Sequence, residues 1–436
     1  MSITNYTTIT IECQDYYCGG AEKDDAGRSI YRFNSRKKVS TVTCPRCEGS
    51  VIGHGSKTVK LYDLPDFPGA ASIYEIRQHR YECKQCHCTF TEQNPFRCPH
   101  FNLTCRCVEW ICQLLAYQIQ TSTIAKIIGI NWNTVRKIQK ARMDLILQKR
   151  DAERLKESYR PYYLAVDEFA IHKGHSYATC VMDLVRGEVI WVGKGRAIKD
   201  FTQFFQHFDG TDYLSQVKAV AMDMNATYNR LVEEYLPDAQ IVYDRYHFQA
   251  QFGRDVLGQV RLAEAKKHRE AAKELVKAQA SRADVKKEKQ LYTQIKRARW
   301  TLLSNADNLS DKKKASLNEI LQSHSDLSVC YAMKEEMIEL YRITDPEIAR
   351  ERWRKWFDAA EQSYIPALVR FARAKRKRLN GLAAHAAFSI NTAKLEGFNN
   401  KIKVAKRNSY GFRNNDFFFS FIRFLSLSPC LNYTIL

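Results

Sequence analysis

The sequence predicts a multidomain α/β protein. It has a cysteine-bearing module of short strands, a helical pair, a mixed sheet, and a mostly helical block inserted ahead of the last helix. Three observations carry this. Two C-x-x-C pairs, Cys44/Cys47 and Cys83/Cys86, stand in the first quarter of the chain. Between residues 162 and 248, short β-branched runs alternate with amphipathic helical ones, the texture of a sheet with helices against it. From Gln259 to Asn380 there is no Gly and only two Pro, which suits helices. A chain of 436 residues with 45% hydrophobic content has enough material for several cores.

In chain order, "TTITIEC" (7–13) and "SIYRFNSRKKVSTV" (29–42) show partial alternation and read as short strands. "CPRC" follows, then strand-like sequence, then "YEIRQHRYECKQCHCTF". Pro95 and Pro99 punctuate a linker, and from Leu103 to about Gln148 the pattern is helical, broken only at Gly129. Strands are expected at "YYLAVDEF", "YATCVMDLV" and "EVIWVGKG", the last two joined by a turn at "RGE". "IKDFTQFFQHF" reads as a helix, "VKAVAMDM" as a strand, "TYNRLVEEYL" as a helix and "AQIVYDRYHF" as a strand, a βββαβαβ order. In the Gly-free block, Thr344 and Glu347 stand at capping-box spacing, and Trp353, Trp356, Phe357 and Ala360 form an apolar stripe. "RAKRKR" (373–378) closes that block, and a final helix carries "LEGFNNKIKVAKR".

The balance of 68 Lys+Arg against 48 Asp+Glu gives a formal charge of +20, which points to a polyanionic partner, most often nucleic acid. A membrane-surface role would give the same sign. No leader of charged then apolar residues opens the chain, and the most apolar stretch, "FFFSFIRFLSL", is short and holds Arg423. The expectation is a cytoplasmic protein with no membrane partner. Fourteen cysteines in such a chain argue against a disulfide framework, and seven of them fall between Cys83 and Cys112. That clustering favours a metal site.

Cys44, Cys47, Cys83 and Cys86 supply four thiolates from two tight turns, a set suited to tetrahedral Zn2+ in a structural site. Coincidental cysteines or a paired redox site would account for the same residues less well. Cys88, Cys98 or His100 stands close enough in sequence to replace one ligand, whereas Cys105, Cys107 and Cys112 fit a helix core. Cys13 and Cys18 are ambiguous.

"TSTIAKIIGINWNTVRKIQKARM" (121–143) has the pattern of a helix-turn-helix. Ile124, Ala125 and Ile128 would pack on Val135 and Ile138, Gly129 would make the turn, and Asn131 would cap the second helix. Trp132, Asn133, Arg136 and Lys137 would then be exposed on a helix suited to the DNA major groove and its phosphates. A plain helical hairpin in a core has the same pattern, and the charge and the neighbouring cysteine module favour DNA.

Asp167 ends the first strand of the central region and Asp223 ends a later one. A lone aspartate at a strand end is ordinarily a turn or cap residue. Two of them, on either side of a hairpin and a helix, form the skeleton of a ribonuclease-H-like sheet. There, carboxylates hold hard cations such as Mg2+ for in-line displacement at phosphorus. Glu168 points to the opposite face from Asp167, because strand neighbours alternate. A third carboxylate is needed, and Glu396 stands out before Gly397 and a basic, Asn-rich helix.

These stretches resemble the bacterial insertion-sequence transposases of the ISL group. The resemblance rests on "CPRC" with "CKQC", "IAKIIGINWNTV", "LAVDEFA", "VKAVAMDMNATY", "IVYDRYHF" and "LEGFNNKIKVAKRNSYGFRN", from about residue 40 to 425. It implies a DDE transposase with Asp167, Asp223 and Glu396 as its triad. The long gap from Asp223 to Glu396 would hold a helical insertion. Asp244 and His247, in "DRYH", would support the site or touch DNA. Lys403 and Arg407, seven and eleven residues after Glu396, would hold phosphate oxygens. Asn225 stands where many relatives have Trp, and the tail "SLSPCLNYTIL" fits no pattern.

The resemblance sets expected limits of 1–98 for the N-terminal strands and zinc-binding module, 99–150 for the helix-turn-helix, 158–252 and 386–436 for the ribonuclease-H-like catalytic core, and 253–385 for the insertion. The implied cofactors are two Mg2+ per active site, with Mn2+ as an alternative, and structural Zn2+. The implied partners are element-end inverted repeats, target DNA and a second copy of the chain, at the bacterial nucleoid. The rival reading is a catalytically inert zinc/helix-turn-helix regulator derived from a transposase.

Overall fold

The structure, a computed structural model, describes residues 15–427 except 118, 173–175, 306–307, 409–411 and 413, and not the side chain of Asn408. The strand expected over 7–13, Cys13 and the tail beyond Leu427 lie outside these residues. The chain forms two compact units. One is built from the described residues of Met1–Ala152 and Lys406–Leu436, the other from Glu153–Ala405.

In the first unit, strands β1 (Tyr16–Lys23), β2 (Ser29–Ser35), β3 (Val51–Phe67) and β4 (Ala70–Cys83) make a sheet in the order β1-β2-β4-β3. The short β5 (Thr89–Thr91) lies on β4. The sequence between the two C-x-x-C pairs is thus one long antiparallel hairpin. Its open end pairs Val51 with Cys83 and so brings both cysteine turns together. Helix α1 (Cys105–Ala116) starts at Thr104, whose hydroxyl accepts the Cys107 N–H at 3.2 Å and donates to the fully buried Asp63 on β3.

Helix α2 (Thr121–Ile128) ends on Gly129 at φ +81°, and α3 (Trp132–Lys156) follows. A side chain at Gly129 would strike the Gly69 carbonyl in the β3–β4 turn, so both backbone conformation and close approach require glycine. Asn131 Oδ1 accepts the Asn133 N–H at 2.8 Å and caps α3. Ile124, Ala125, Ile128, Val135 and Ile138 share one buried cluster with Cys98, Cys107 and Cys112. These last three cysteines therefore pack in a core. The helix Asn415–Ser426 belongs to the same unit and buries Phe417, Phe418 and Ile422.

The second unit is built on β6 (Tyr163–Ala170), β7 (Tyr177–Asp183), β8 (Glu188–Lys194), β9 (Ala219–Met222) and β10 (Gln240–Tyr243). The sheet order is β10-β9-β6-β7-β8, with β6, β7 and β8 antiparallel and β6, β9 and β10 parallel. Leu164, Ala165 and Val166 are all buried because β6 is central and covered on both faces. Helices α4 (Ile198–His207) and α5 (Ala226–Tyr235) are the crossovers, and α4 lays Phe201, Phe204 and Phe205 into the core beside Trp191 and Tyr228.

Two expectations need correction here. The strand expected over "AQIVYDRYHF" stops at Tyr243, and Arg245–Phe252 is helix α6. Asp244 ends the strand by capping that helix, its Oδ1 accepting the Tyr246 and His247 N–H groups at 2.7 and 3.3 Å. Second, the cap expected at Thr344 sits one residue on, where Asp345 Oδ1 accepts the Ile348 N–H at 2.9 Å and Pro346 takes the first helical position.

From α6 a π-helical turn (Gly253–Leu257) leads into α7 (Gly258–Lys277), and the block continues as α8 (Arg282–Arg297), α9 (Arg299–Leu303), α10 (Asp311–Ser323), α11 (Ser325–Leu340), α12 (Pro346–Gln362), α13 (Pro366–Arg376) and α14 (Leu379–Ala383). The Trp353, Trp356, Phe357 and Ala360 stripe is fully buried on α12. It joins Phe248, Phe252 and Phe371 in one apolar cluster that extends to Val166, Val220 and Met222 of the sheet. The block is therefore anchored to the sheet by a shared core. Helix α15 (Ala393–Asn408) carries Glu396 in its first turn. Among the described residues no helix is long and apolar enough to cross a membrane.

Candidate active site

Parallel pairing puts two of the three expected carboxylates side by side. Val166 of β6 lies opposite Met222 of β9, so Asp167 and Asp223 are the next residue on each strand past their last pair. Asp223 follows the end of β9, but Asp167 does not end its strand as expected: β6 runs on to Ala170 because β7 goes on pairing with it, Asp167 opposite Cys180. Asp223 turns back on its own loop, Oδ1 accepting the Met224 N–H at 2.5 Å.

Glu396 reaches the same place from far along the chain, and Asp244 brings it there. Asp244 is 5% exposed, and both of its oxygens are committed: Oδ1 to the α6 backbone, Oδ2 to Thr392 N–H at 3.1 Å and Thr392 Oγ1 at 2.7 Å. Thr392 sits one turn before Glu396 and faces its Oε1 at 3.0 Å. One buried carboxylate thus caps α6 and ties down the start of α15. His247, in the first turn of α6, lies between the carboxylates: Nδ1 is 3.7 Å from Asp223 Oδ2 and Nε2 is 3.8 Å from Glu396 Oε1.

Asp244, His247 and Glu396 offer ligand atoms within 4.8 Å of one another, a geometry compatible with a metal ion. Asp244 is a poor ligand all the same, because its oxygens already take four donors. The chemically open oxygens belong to Asp167, Asp223 and Glu396, and such hard donors fit Mg2+ or Mn2+.

Asp167 is held at both oxygens. Oδ1 accepts the Glu168 N–H at 2.8 Å, and Oδ2 accepts from Asn399 Nδ2 at 2.8 Å. Burial pushes its carboxyl up to about 6. Glu396 and Glu168 push the same way, while the Glu168 N–H and His247 pull it down. The folded protein holds this proton more tightly than the unfolded chain does. The resulting stability is fully present below 3.8 and is lost as pH rises through about 6. Asp167→Asn is therefore expected to melt higher than the parent in EDTA at pH 7.5, by at most about 3 kcal/mol of stability. The gap should close as pH falls to 4. Equal melting temperatures at pH 7.5 would contradict the burial cost.

Glu168 faces away from this group, as strand alternation requires. Its Oε1 accepts from Asn225 Nδ2 at 3.0 Å and its Oε2 from Arg196 Nη1 at 3.3 Å. Asn225, the residue that departs from the family pattern, also caps α5 by accepting the Thr227 N–H at 2.9 Å.

In the first unit, the Sγ atoms of Cys44, Cys47, Cys83 and Cys86 all lie within 4.8 Å of one another. N–H groups of Arg46 and Gln85 point at Cys44 Sγ and Cys83 Sγ, each at 3.4 Å, and the residue after each C-x-x-C, Glu48 or His87, takes a positive φ. Such turns present two thiolates on one side of the backbone, a donor set that fits Zn2+. Cys88 Sγ is 3.3 Å from both Cys44 Sγ and Cys86 Sγ. Cys98 is buried in the α1–α3 core instead, and His100 is exposed.

Trp132, Asn133 and Lys137 are exposed on α3. Arg136, expected to be exposed with them, is half-buried: its guanidinium lies 4.6 Å from the Phe417 ring centre and 5.9 Å from that of Trp132. Packing against the helix Asn415–Ser426 covers it. Lys403 is exposed with Nζ 3.2 Å from Asn400 Oδ1, and Arg407 is exposed near the end of α15.

The ISL3-type DDE transposase family model, described as "Transposase", matches residues 164–422, more than half of the chain. The chain belongs to this transposase family. The transposase for insertion sequence element IS1001 of Bordetella parapertussis is 32% identical over 401 residues, 92% of each chain. The transposase for IS1557 of Mycobacterium tuberculosis is 26% identical over 408 residues, 90% of this chain and 88% of its own, in two strains. A chain of the Drosophila P element transposase strand transfer complex aligns with 77% of this chain and 93% of its own. Its 10% identity and TM-score of 0.37 fall below the level that marks a shared fold. The protein is thus an insertion-sequence transposase, an enzyme that cuts and joins DNA, and membership of this family implies use of a divalent metal.

Proposed function

We propose that the second unit is a ribonuclease-H-like catalytic core in which Asp167, Asp223 and Glu396 form the DDE triad, interrupted by a helical insertion over 253–385. The observation that carries this reading is the meeting of the three carboxylates. Asp167 stands on β6, Asp223 follows the parallel neighbour β9, and Glu396 comes in on α15, tied by the Asp244–Thr392 bonds. The β8-β7-β6-β9-β10 order, with three antiparallel strands followed by two parallel ones, supports it.

The triad would hold two Mg2+, or Mn2+, which when bound supply charge neutralisation and activation of oxygen nucleophiles at the scissile phosphate. The chain's own residues do the rest. Asp167 presents a carboxylate fixed at both oxygens, and Asp244 fixes where Glu396 stands. His247 keeps an imidazole between Asp223 and Glu396. Lys403 supplies a positive charge seven residues beyond Glu396 for a non-bridging phosphate oxygen. In the cut, water attacks phosphorus and the bond to O3′ breaks, leaving a 3′-hydroxyl on the element end. That hydroxyl then attacks a target phosphate, whose own O3′ leaves. No covalent protein–DNA bond is required.

The first unit would hold the end-binding parts: the zinc module through residue 98, and the 99–150 helix-turn-helix whose Trp132, Asn133 and Lys137 meet the terminal inverted repeat. Arg136 would reach DNA only by leaving the Phe417 ring. Arg407 would add a phosphate contact. Two element ends joined in one reaction favour a homodimer or larger assembly on DNA, acting at the nucleoid. A catalytically inert regulator is not favoured, since none of the three carboxylates is replaced.

The test is direct. Purified protein, Mg2+ and DNA carrying an element end are incubated with a target plasmid, and cuts and joints are mapped at nucleotide resolution. Cleavage at the end and joining of its 3′-hydroxyl to target are expected, both lost in EDTA. Cleavage that persists in EDTA, or cuts confined to branched DNA with no joining, would count against the proposal.

A further inference from the structure

We infer that Asn399 is a positioning residue for Asp167, reaching from the Glu396 helix to fix the orientation of the Asp167 carboxylate before a cation arrives. The inference rests on the triad reading above and assigns a role to a residue outside the triad.

Asn399 lies three residues after Glu396, nearly one helical turn, so the two side chains share a face of α15. It is 6% exposed. Its Nδ2 donates to Asp167 Oδ2 at 2.8 Å, while the strand's own Glu168 N–H holds Asp167 Oδ1 at 2.8 Å. Each carboxylate oxygen therefore has one donor, from a different element, and keeps a further lone pair. Two bonds from two rigid elements fix the plane of the group, which a single bond would leave free to turn. The amide orientation is fixed by chemistry, because the reverse would set two oxygens against each other.

The second observation is the other end of the same amide. Asn399 Oδ1 is buried and, among the described residues, has no hydrogen-bond partner. A buried carbonyl oxygen without a donor is a standing cost to the fold, and packing alone would be served as well by a leucine. A carboxamide oxygen is, however, the kind of hard donor that a divalent cation accepts. The pattern of one amide arm bonded to a metal-binding carboxylate and the other left open is that of a group tuned for the loaded site. It matches the general role of partners that orient metal-binding side chains.

The experiment uses the full chain with its cysteine site loaded, and Mn2+ alone as the first probe. Binding is followed by the electron paramagnetic resonance signal of free Mn2+, without DNA or turnover. Asn399→Ala and Asn399→Leu are expected to weaken Mn2+ binding by roughly 10- to 100-fold. They should also raise the Mg2+ concentration for half-maximal cleavage by a similar factor, with the rate at saturating metal changed far less. In EDTA, Asn399→Leu removes the orphan oxygen but also the donor to Asp167 Oδ2, so the two effects oppose and its melting temperature should stay near the parent's.

Parent-like Mn2+ affinity and parent-like Mg2+ half-saturation in both variants would overturn the inference. So would a lowered melting temperature in EDTA with metal binding unchanged, which marks a packing role only. Asp167→Ala runs alongside. If it still cleaves, the triad reading itself fails. If it is inactive while both Asn399 variants behave as the parent, only the present inference fails.

Discussion

Replacing Glu396 by Gln, or Asp167 or Asp223 by Ala, is expected to lower strand cleavage on the order of 10³-fold or more, while element-end binding stays within a few-fold of the parent. The size follows from the metal-holding role proposed for each carboxylate. A metal held at the scissile phosphate stabilises the transition state by several kcal/mol, and each 1.36 kcal/mol lost is a factor of about ten in rate. Glu396→Gln is the sharpest of the three. It preserves shape, and it can keep the Thr392 contact at 3.0 Å by turning its amide nitrogen to the hydroxyl, yet it removes the charge.

Asp244→Ala makes the contrast. Asp244 has no free oxygen for a cation, so its loss acts through the fold. The α6 cap and both Thr392 bonds go, at about 1–3 kcal/mol for the buried groups left unpaired. Its cleavage defect should therefore come with a lowered melting temperature, which Glu396→Gln should not show. Glu168→Gln should be mild in both, since Glu168 faces Asn225 and Arg196. Cleavage is read on end-labelled DNA and binding by fluorescence anisotropy. A Glu396→Gln protein that cuts at the parent rate would end the triad assignment.

What the sequence displayed, and what it hid, follows from the range of each interaction. The C-x-x-C turns and the Asn131 cap are local, so their spacing is visible in a few residues. The βββαβαβ order was legible because each strand is a short β-branched run, covered on both faces and bounded by turn residues. Strand alternation alone sets Asp167 and Glu168 on opposite faces, and they stand so, Asp167 against Asn399 and Glu168 against Asn225. Asp183 shows the limit of the strand-end argument. It too ends a strand, yet it lies opposite Leu164 at the far end of β6, fully buried, and accepts from Tyr159 Oη at 2.9 Å and the Val185 N–H at 2.9 Å. It is a turn residue, and no spacing rule separates it from Asp223.

Glu396 stands out in the sequence by its place before Gly397 and a basic, Asn-rich helix, but only motif resemblance puts it in the triad, because α15 enters the site only after the helical block has closed. Asn399 and Thr392 went unremarked for the same reason. Their partners, Asp167 and Asp244, lie 232 and 148 residues away, and neither bond leaves a local trace. "DRYHF" was misread as strand because its aromatic residues continue the run of β10. The signal against that reading was Asp244 itself, a good cap residue followed by a helix-compatible run. Arg136 was expected free because nothing near it in sequence announces Phe417.

Loss of the metal from the cysteine module is expected to abolish specific end binding, at least roughly 100-fold, while the melting of the second unit is untouched. The apolar cluster there is small: Val51 and Tyr81 with Cys44 and Cys83, and Val42 and Phe90 at its margin. A structural Zn2+ contributes on the order of 10 kcal/mol or more to a module of this kind, which exceeds what such a core supplies. Without the ion, four thiols would crowd the end of the β3–β4 hairpin, beside turns that hold Glu48 and His87 at positive φ. The variants should not be equal. Cys47→Ser and Cys83→Ser each remove one proposed ligand from a pair 3.4 Å apart, and the chain should lose close to one equivalent of zinc and its end affinity. Cys86→Ser should be milder, because Cys88 Sγ stands 3.3 Å from both Cys86 Sγ and Cys44 Sγ and can take the vacated position. The double variant Cys86→Ser/Cys88→Ser should then behave like Cys83→Ser. Zinc per chain by elemental analysis and end binding by anisotropy decide the matter. A Cys83→Ser protein with full zinc and full end affinity would place the ligands elsewhere among the clustered cysteines.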